Sequence, residues 1–318
     1  MHIDLALVIG SAVVGFLVGL TGAGGGALMT PMLIFLFGVT PSIAISSDLV
    51  AAVLIRPVGA AVHLRRKTVN FAMVGWLAVG SVPGALLGAW LLHFMGAGKE
   101  AQTDIEVVLG TALLLGALAM VIRSYLRRGA PELLHEISVR PLPTVVIGCA
   151  GGVMVGLTSV GSGSLMIVLL LFLYPALASS QLVGTDLVQA IPLTAAAALG
   201  QLLFGHIELG LTTSIVIGSV PAAFVGSLCS SRAPDRLVRP AVTAVIALSG
   251  LKYVGMDDTG LGVAVALAVV GYCAMLLVRW KRSGGDTTAH RAAAPLVAGG
   301  ALEVLGAAAP EGAGATPP

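Results

Sequence analysis

Residues 19–29 read GLTGAGGGALM, and residues 156–166 repeat the phrase as GLTSVGSGSLM, with 7 of 11 positions identical at an offset of 137. The repetition continues at an offset of 138 in two further pairs of segments: SDLV at 47–50 with TDLV at 185–188, and GSVPGALLG at 80–88 with GSVPAAFVG at 218–226. The chain is therefore internally duplicated, and each half carries one glycine-rich run.

The composition excludes a water-soluble fold. Hydrophobic residues make up 57% of the 318 residues, charged residues 10%, and the mean hydropathy is +1.01. One aqueous domain of this length cannot bury that much apolar surface, whereas a stretch such as 71–95 is long enough to cross a bilayer. The sequence predicts an all-α polytopic membrane protein, and glycine-broken segments in a duplicated membrane chain are typical of secondary transporters. The formal net charge of +2 gives no indication of nucleic-acid binding.

Apolar and polar stretches divide the chain into five parts. We predict a first transmembrane repeat, a cytoplasmic linker, a second repeat, an extra C-terminal transmembrane helix and a disordered tail, at residues 1–122, 123–141, 142–253, 254–280 and 281–318. Two apolar segments, 26–38 and 163–174, are short for a span. The sequence leaves open whether these two cross the membrane or re-enter it.

Basic residues orient the predicted helices. Clusters of arginine and lysine fall in alternate loops, at 65–67, 123–128, 232–236 and 279–282. The positive-inside rule places these loops and the C-terminus in the cytoplasm. The loop at 63–70 then lies inside and its repeat mate at 205–208 outside. The two repeats are therefore predicted to have inverted topology, as alternating access around a central site requires.

The glycine-rich runs are the first candidate site. Glycine is unfavourable inside a helix, so we expect both helices to break there and new helices to start behind the breaks. Their free N–H groups and positive dipole ends would bind an anion. The alternative is close helix packing through glycine. The candidate substrate-binding residues in the two runs are Gly24, Gly25, Gly26, Gly161, Ser162 and Gly163.

Arg56 is the second candidate. It lies in the middle of the apolar segment VAAVLIRPVGAAV, where an arginine costs about 2.5 kcal/mol or more unless it faces a cavity or a partner. Its repeat mate is Thr194, so the cation occurs once. A salt bridge to Asp48 is the structural alternative, but about 12 Å of helical rise separates the two residues. We therefore predict that Arg56 binds substrate. Hydroxyl groups expected to assist it are those of Thr21, Thr158, Ser47 and Thr185.

Asp48 and Asp186 are the only carboxylates at equivalent membrane-level positions in the two repeats. Two interpretations are open: each caps the start of its helix, or each responds to a coupling cation, a proton or sodium ion. The sequence has no metal-ligand spacing, nucleotide-binding motif or catalytic constellation with a histidine. We therefore expect no enzymatic activity, no bound metal and no cofactor.

The glycine signature, the acidic motif (SSDL at 46–49, GTDL at 184–187) and the paired GSVP segments resemble the TauE/SafE family of sulfite and organosulfonate exporters, also called DUF81 or TSUP. The resemblance covers about residues 5–279. It implies a bacterial inner-membrane permease for a small sulfur-containing or organic anion such as sulfite or a sulfonate. It also maps the family's glycine motifs onto 22–26 and 161–163 and its acidic motif onto Asp48 and Asp186.

The role of Arg56 rests on the physical argument alone, since no family motif is known to fix it. Two other functions stay open: a passive anion channel, and a non-transporting membrane partner or assembly factor. The sequence does not give the exact anion, the direction of transport, the coupling ion or the oligomeric state.

Overall fold

A computed structural model describes residues 4–21, 25–65, 67–96, 98–126, 138–175, 177, 179–205, 207–229, 235–257, 260 and 262. Within these ranges every regular element is a helix, as the sequence predicted. In chain order they are α1 (Leu5–Thr21), α2 (Gly26–Phe37), α3 (Pro41–Arg65), α4 (Phe71–Met95), α5 (Lys99–Leu126), α6 (Pro141–Thr158), α7 (Leu165–Leu173), α8 (Ser179–Phe204), α9 (Leu209–Cys229) and α10 (Asp235–Tyr253). Most of the predicted extra helix at 254–280, and the whole predicted tail at 281–318, lie outside the described residues.

Six of these helices are long and apolar enough to cross a membrane, namely α3, α4, α5, α6, α8 and α9. By contrast, α2 has 12 residues and α7 has 9. At 1.5 Å per residue they rise about 18 Å and about 14 Å, less than a hydrocarbon core of about 30 Å. Neither of the two short segments therefore crosses a bilayer as a single helix.

The second glycine-rich run breaks the helix, as predicted: the run at 159–164 separates α6 from α7. Most of the first run, residues 22–24, lies outside the described residues, so its predicted break stays a prediction. In the second break, Ser159, Gly161 and Gly163 have φ angles of 58°, 114° and 103°. This left-handed backbone is unstrained for glycine, which has no Cβ. Two glycines at these positions therefore allow the chain to turn between α6 and α7.

The two repeats interlock. By the offsets of the sequence repeat, α1–α5 correspond to α6–α10 in order. Helix α1 packs against α9, and its mate α6 packs against α4, which is the mate of α9. Helix α3 packs against its own mate α8, and α5 against its own mate α10. The principal contacts between the repeats are therefore related by the repeat itself.

Glycine contacts show the same relation residue by residue. A Cβ at Gly80 on α4 would meet the carbonyl oxygen of Val145 on α6. Its mate Gly218 on α9 would meet the carbonyl oxygen of Val8 on α1, which is the mate of Val145. Because these glycines lack a Cβ, the backbones of the paired helices approach closely. Close helix packing is thus the role of Gly80 and Gly218.

The central mates α3 and α8 run antiparallel. Ser46, near the start of α3, donates a 2.9 Å hydrogen bond to Gln201, near the end of α8. At the opposite ends of the two helices, a Cβ at Gly184 would lie 3.2 Å from Nδ1 of His63. Antiparallel mates are the arrangement that inverted repeats require. The inverted topology across a membrane stays a prediction.

Candidate functional site

Arg56 connects the two repeats. It is the sixteenth residue of α3, and 6% of its surface is exposed. Its Nη2 donates a hydrogen bond to Oγ of Ser162, in the break between α6 and α7. Ser162 is its one hydrogen-bond partner among the described residues, although a guanidinium carries five N–H donors in a planar fork. Arg56 therefore keeps donors available for a ligand.

Asp48 contacts the same break two helical turns earlier along α3. It is 1% exposed, and its Oδ2 accepts hydrogen bonds from Oγ of Ser159 at 2.6 Å and from Oγ1 of Thr30 at 3.2 Å. Thr30 lies on α2, so this carboxylate ties α2, α3 and the second break together. Hydrogen bonds to a charged acceptor are worth about 1.5–3 kcal/mol each, so these contacts hold the break against α3.

Asp186, the repeat mate of Asp48, has no such partners. It is fully buried, and neither carboxylate oxygen has a hydrogen-bond partner in the part of the chain that the structure describes. The sequence gives the reason. Thr30 corresponds to Ile167 and Ser159 corresponds to Gly22, so neither of the positions that the repeat pairs with Asp186 carries a hydroxyl group. The two aspartates therefore occupy equivalent positions in different surroundings.

The helix-cap interpretation of the two aspartates is wrong. Helix α3 begins at Pro41 and α8 at Ser179, so each aspartate is the eighth residue of its helix. A cap bonds the free N–H groups of the first turn, which lie well before Asp48 and Asp186. The residues that precede each Ser/Thr-Asp pair are themselves helical, which the cap interpretation overlooked.

Two of the predicted hydroxyl groups are engaged within their own helices. Oγ1 of Thr21 donates to the carbonyl oxygen of Leu17 at 2.7 Å, and Oγ1 of Thr158 donates to that of Met154 at 2.7 Å. Since each proton is used at the end of α1 or α6, it is not available to an anion. The structure does not support Thr21 and Thr158 as substrate donors.

The other two predicted hydroxyl groups contact neighbouring helices. Oγ of Ser47 accepts from Oγ1 of Thr212 on α9 at 3.1 Å. Oγ1 of Thr185 accepts from the backbone N–H of Asn70, which caps α4, at 3.1 Å. Neither hydroxyl is hydrogen-bonded to Arg56. Ser47 and Thr185 thus join helices beside the site and are not brought to the guanidinium.

A cavity of about 550 Å³, counted with its mouth, opens beside Arg56. The space within it that can hold a small molecule measures about 60 Å³, several times the roughly 10–15 Å³ that one water molecule needs. Helices α1, α3, α8 and α9 and the first glycine-rich run line it: Val18, Gly19, Gly25, Asp48, Ala52, Ile55, Arg56, Val58, Gly59, Leu187, Ala223 and Ser227. The wall is mostly apolar, with Arg56 and Asp48 as its charged groups. Such a lining selects a small ligand by charge and size.

The starts of α2 and α7 both lie near this cavity. Gly25 lines it, and Gly26 packs so closely on Ser159 that a Cβ there would meet the serine backbone. Ser162 joins the second break to Arg56. The first N–H groups of a helix have no partner within that helix, and they favour anions. Gly24 lies outside the described residues.

The family model for the sulfite exporter TauE/SafE matches residues 7–253, which include both repeats. The chain is also similar to "Probable membrane transporter protein YjnA" of Bacillus subtilis (strain 168), with 39% identity over 256 residues, covering 79% of this chain and 100% of that one. It is 26% identical over 246 residues to "Probable membrane transporter protein YdhB" of the same strain, covering 74% and 94%.

A "Probable membrane transporter protein" of Xylella fastidiosa (strain Temecula1) is 27% identical over 242 residues, covering 72% of this chain and 86% of the relative. No solved structure matches the chain.

Proposed function

Because this chain belongs to the sulfite exporter TauE/SafE family and is a multi-pass membrane transporter, we propose that it carries a small sulfur-containing or organic anion, such as sulfite or a sulfonate, by alternating access. Its place would be the bacterial inner membrane, with a cytoplasmic C-terminus. A carrier of this kind makes and breaks no covalent bond. The site therefore has only to bind the anion, exclude other solutes and release the anion on the other side.

The hydrogen bond between Arg56 and Ser162, beside the cavity, is the observation that carries the proposal. A buried arginine at membrane level is costly unless it serves a partner or a ligand. Here its only described hydrogen-bond partner is one neutral hydroxyl, and Asp48 and Asp186 act on it electrostatically without a described hydrogen bond. The guanidinium therefore faces a mostly apolar space with N–H donors whose hydrogen bonds a small anion in the cavity would accept.

The chemistry of the site favours an oxyanion. The guanidinium fork matches two oxygens of a sulfite, sulfonate or carboxylate group in bidentate geometry. The N-terminal N–H groups of α2 and α7 would bind a third oxygen, since both helix starts lie near the cavity. The apolar wall formed by residues such as Ile55, Leu187 and Ala223 would contact the organic part of a sulfonate.

The interlocked repeats support a carrier mechanism. Arg56 comes from the first repeat and Ser162 from the second, so movement of one repeat against the other would remake the site from the opposite side. Cysteines introduced at Lys67 and Glu208, which are exposed loop residues, test the inversion in a background without native cysteines. We expect an impermeant thiol reagent to label the two positions from opposite faces of the membrane. Labelling of both from one face would contradict the mechanism.

A screen of ligand-induced thermal stabilisation tests the substrate class. A ligand present at 100 times its Kd stabilises the folded state by about 2.7 kcal/mol. We expect sulfite or a sulfonate to raise the melting temperature of the purified full chain more than acetate, sulfate or chloride at equal ionic strength. Equal rises in melting temperature with all of these salts would show that they act by general charge screening. That result would contradict a specific anion site.

A further inference from the structure

The buried polar groups at the centre of the protein are divided unequally between the repeats. The first repeat carries Arg56, and its Asp48 is satisfied by two hydroxyl groups. The second repeat has Thr194 in place of the arginine, and Oγ1 of Thr194 donates to the carbonyl oxygen of Ala190 in its own helix at 2.7 Å. No cation or hydroxyl group within the described residues is hydrogen-bonded to the remaining carboxylate, Asp186.

A second unsatisfied acceptor lies on the same face of α8. Gln189 follows Asp186 by three residues, a spacing that brings side chains together on a helix, and it is fully buried. Its Nε2 donates to Oγ of Ser81 on α4 at 2.7 Å, and its Oε1 has no partner among the described residues. The repeat mate of Gln189 is Ala51, so the first repeat has no such amide.

We propose that Asp186 and Gln189 form a binding site for a monovalent cation, a proton or Na⁺, and that this site couples cation movement to the anion transport proposed above. Three buried acceptor oxygens without a donor are costly, and a cation bound between them would satisfy all three. Oxygen ligands of this kind suit a hard cation. The proposal rests on the proposed function for the coupling, whereas the site itself rests on the unsatisfied oxygens.

The balance of charge explains why anion and cation would travel together. Arg56, Asp48 and Asp186 give the buried centre one positive and two negative groups. Binding a monovalent anion alone would add a third negative charge, whereas binding one cation with it leaves the sum unchanged. Charges inside a low-dielectric region interact strongly, so joint loading is favoured over loading of the anion alone.

A proton and a sodium ion would use the site differently. A proton on Asp186 gives the carboxyl group one O–H donor, whose hydrogen bond Oε1 of Gln189 can accept. Sodium would take both carboxylate oxygens and Oε1 as ligands. Two charged groups act electrostatically on Asp186, namely Arg56 on α3 and Arg123 on α5. His63 lies beside Gly184, two residues before Asp186 on α8.

The binding test needs no transport. The melting temperature of the purified full chain is measured with increasing NaCl against choline chloride, and separately as the pH is lowered. We expect one of the two cations to stabilise the wild type and not Asp186→Asn, whose amide is nearly isosteric but carries no charge. Asp104→Asn, which changes an exposed carboxylate on α5, is the matched control and should respond like the wild type. Equal responses of wild type and Asp186→Asn to both cations would overturn the site.

The coupling test uses labelled sulfite in liposomes with the membrane potential clamped at zero. A tenfold inward gradient of one coupled cation can sustain about tenfold accumulation. In the wild type we expect such accumulation of labelled sulfite with a gradient of Na⁺ or of protons. In Asp186→Asn the ratio of internal to external sulfite should fall to about one. Gln189→Leu should abolish a sodium response, or shift a proton response to lower pH because the protonated carboxyl loses its acceptor.

The failures are distinguishable. Exchange of sulfite in the wild type without any response to either gradient would overturn the coupling while leaving anion transport intact. Absence of sulfite exchange in the wild type would overturn the proposed function, and the melting-temperature test would still decide the cation site. Loss of coupling in Asp48→Asn but not in Asp186→Asn would assign the cation to the first repeat and contradict the proposal.

Discussion

Replacing Arg56 with glutamine should weaken anion binding without unfolding the protein. Arg56 donates to Ser162 and lines the cavity, so the bound anion would take charge-assisted hydrogen bonds from its remaining donors. Hydrogen bonds to charged groups contribute about 1.5–3 kcal/mol, which corresponds to about 10- to 150-fold in Kd. We expect Arg56→Gln to lose affinity for sulfite by a factor in this range. Arg56→Lys should fall between it and the wild type, because the charge stays while the planar fork is lost.

Ser162→Ala and Thr194→Val complete the series. Ser162 positions Arg56 through one hydrogen bond, worth about 0.5–1.5 kcal/mol, so its removal should cost about 2- to 12-fold in Kd. Thr194 occupies the equivalent of Arg56 in the second repeat, and the hydrogen bonds of its hydroxyl to described residues stay within α8. Thr194→Val is therefore the matched control, with an expected change below about twofold.

The assay is calorimetric titration of sulfite into the purified full chain, on variants that elute as a single monodisperse species. Size-exclusion chromatography and the melting temperature of each variant separate a loss of binding from a loss of fold. A well-folded Arg56→Gln protein that binds sulfite within about twofold of the wild type would refute the assignment. The arginine would then have a purely structural role.

Two further pairs of variants test stability. Asp48→Asn should lower the melting temperature, by about 1–3 kcal/mol of unfolding free energy, because the bonds from two hydroxyl groups lose their charged acceptor. Asp186→Asn should cost less than Asp48→Asn, since it loses no described hydrogen bond and removes a buried charge, although Arg56 loses an electrostatic partner; equal effects of the two changes would contradict the asymmetry of the site. Gly80→Ala should cost about 1–3 kcal/mol, because its Cβ would meet the backbone of α6. A Cβ at Gly75, in the same helix, would meet nothing within 4 Å, so Gly75→Ala should gain up to about 1 kcal/mol of unfolding free energy. Melting curves of both variants test this. A Gly80→Ala protein as stable as Gly75→Ala would contradict the packing of α4 on α6.

The sequence was sufficient to predict features that depend on local chemistry. The glycine-rich run of the second repeat predicted the break between α6 and α7, since glycine disfavours helix wherever it is concentrated. The length of the apolar segments predicted the helical membrane fold. The isolated arginine predicted that Arg56 would be buried beside a cavity, because an arginine in an apolar segment needs a partner or a ligand there.

Features that depend on tertiary contact could not be predicted in the same way. The bond from Thr30 to Asp48 joins α2 to α3 and leaves no periodic signal in either segment. The cap interpretation failed because a Ser/Thr-Asp pair looks the same at a helix start and two turns inside a helix. The exchange of partners, α1 with α9 and α4 with α6, depends on small residues facing each other across the two repeats. The comparison of the two repeats, Thr30 with Ile167 and Ser159 with Gly22, explains the unequal aspartates only once the contacts of Asp48 are known.

Counterflow of sulfite across liposome membranes is the measurement that tests the central claim most directly. Vesicles containing the full chain are loaded with excess unlabelled sulfite and diluted into a trace of labelled sulfite, without ion gradients or membrane potential. A carrier with one alternately accessible anion site exchanges label for internal substrate, so we predict that label rises transiently above its equilibrium level in the wild type and does not do so in Arg56→Gln. Label that enters the wild-type vesicles only up to equilibrium, with no transient excess, would indicate a channel and contradict the account.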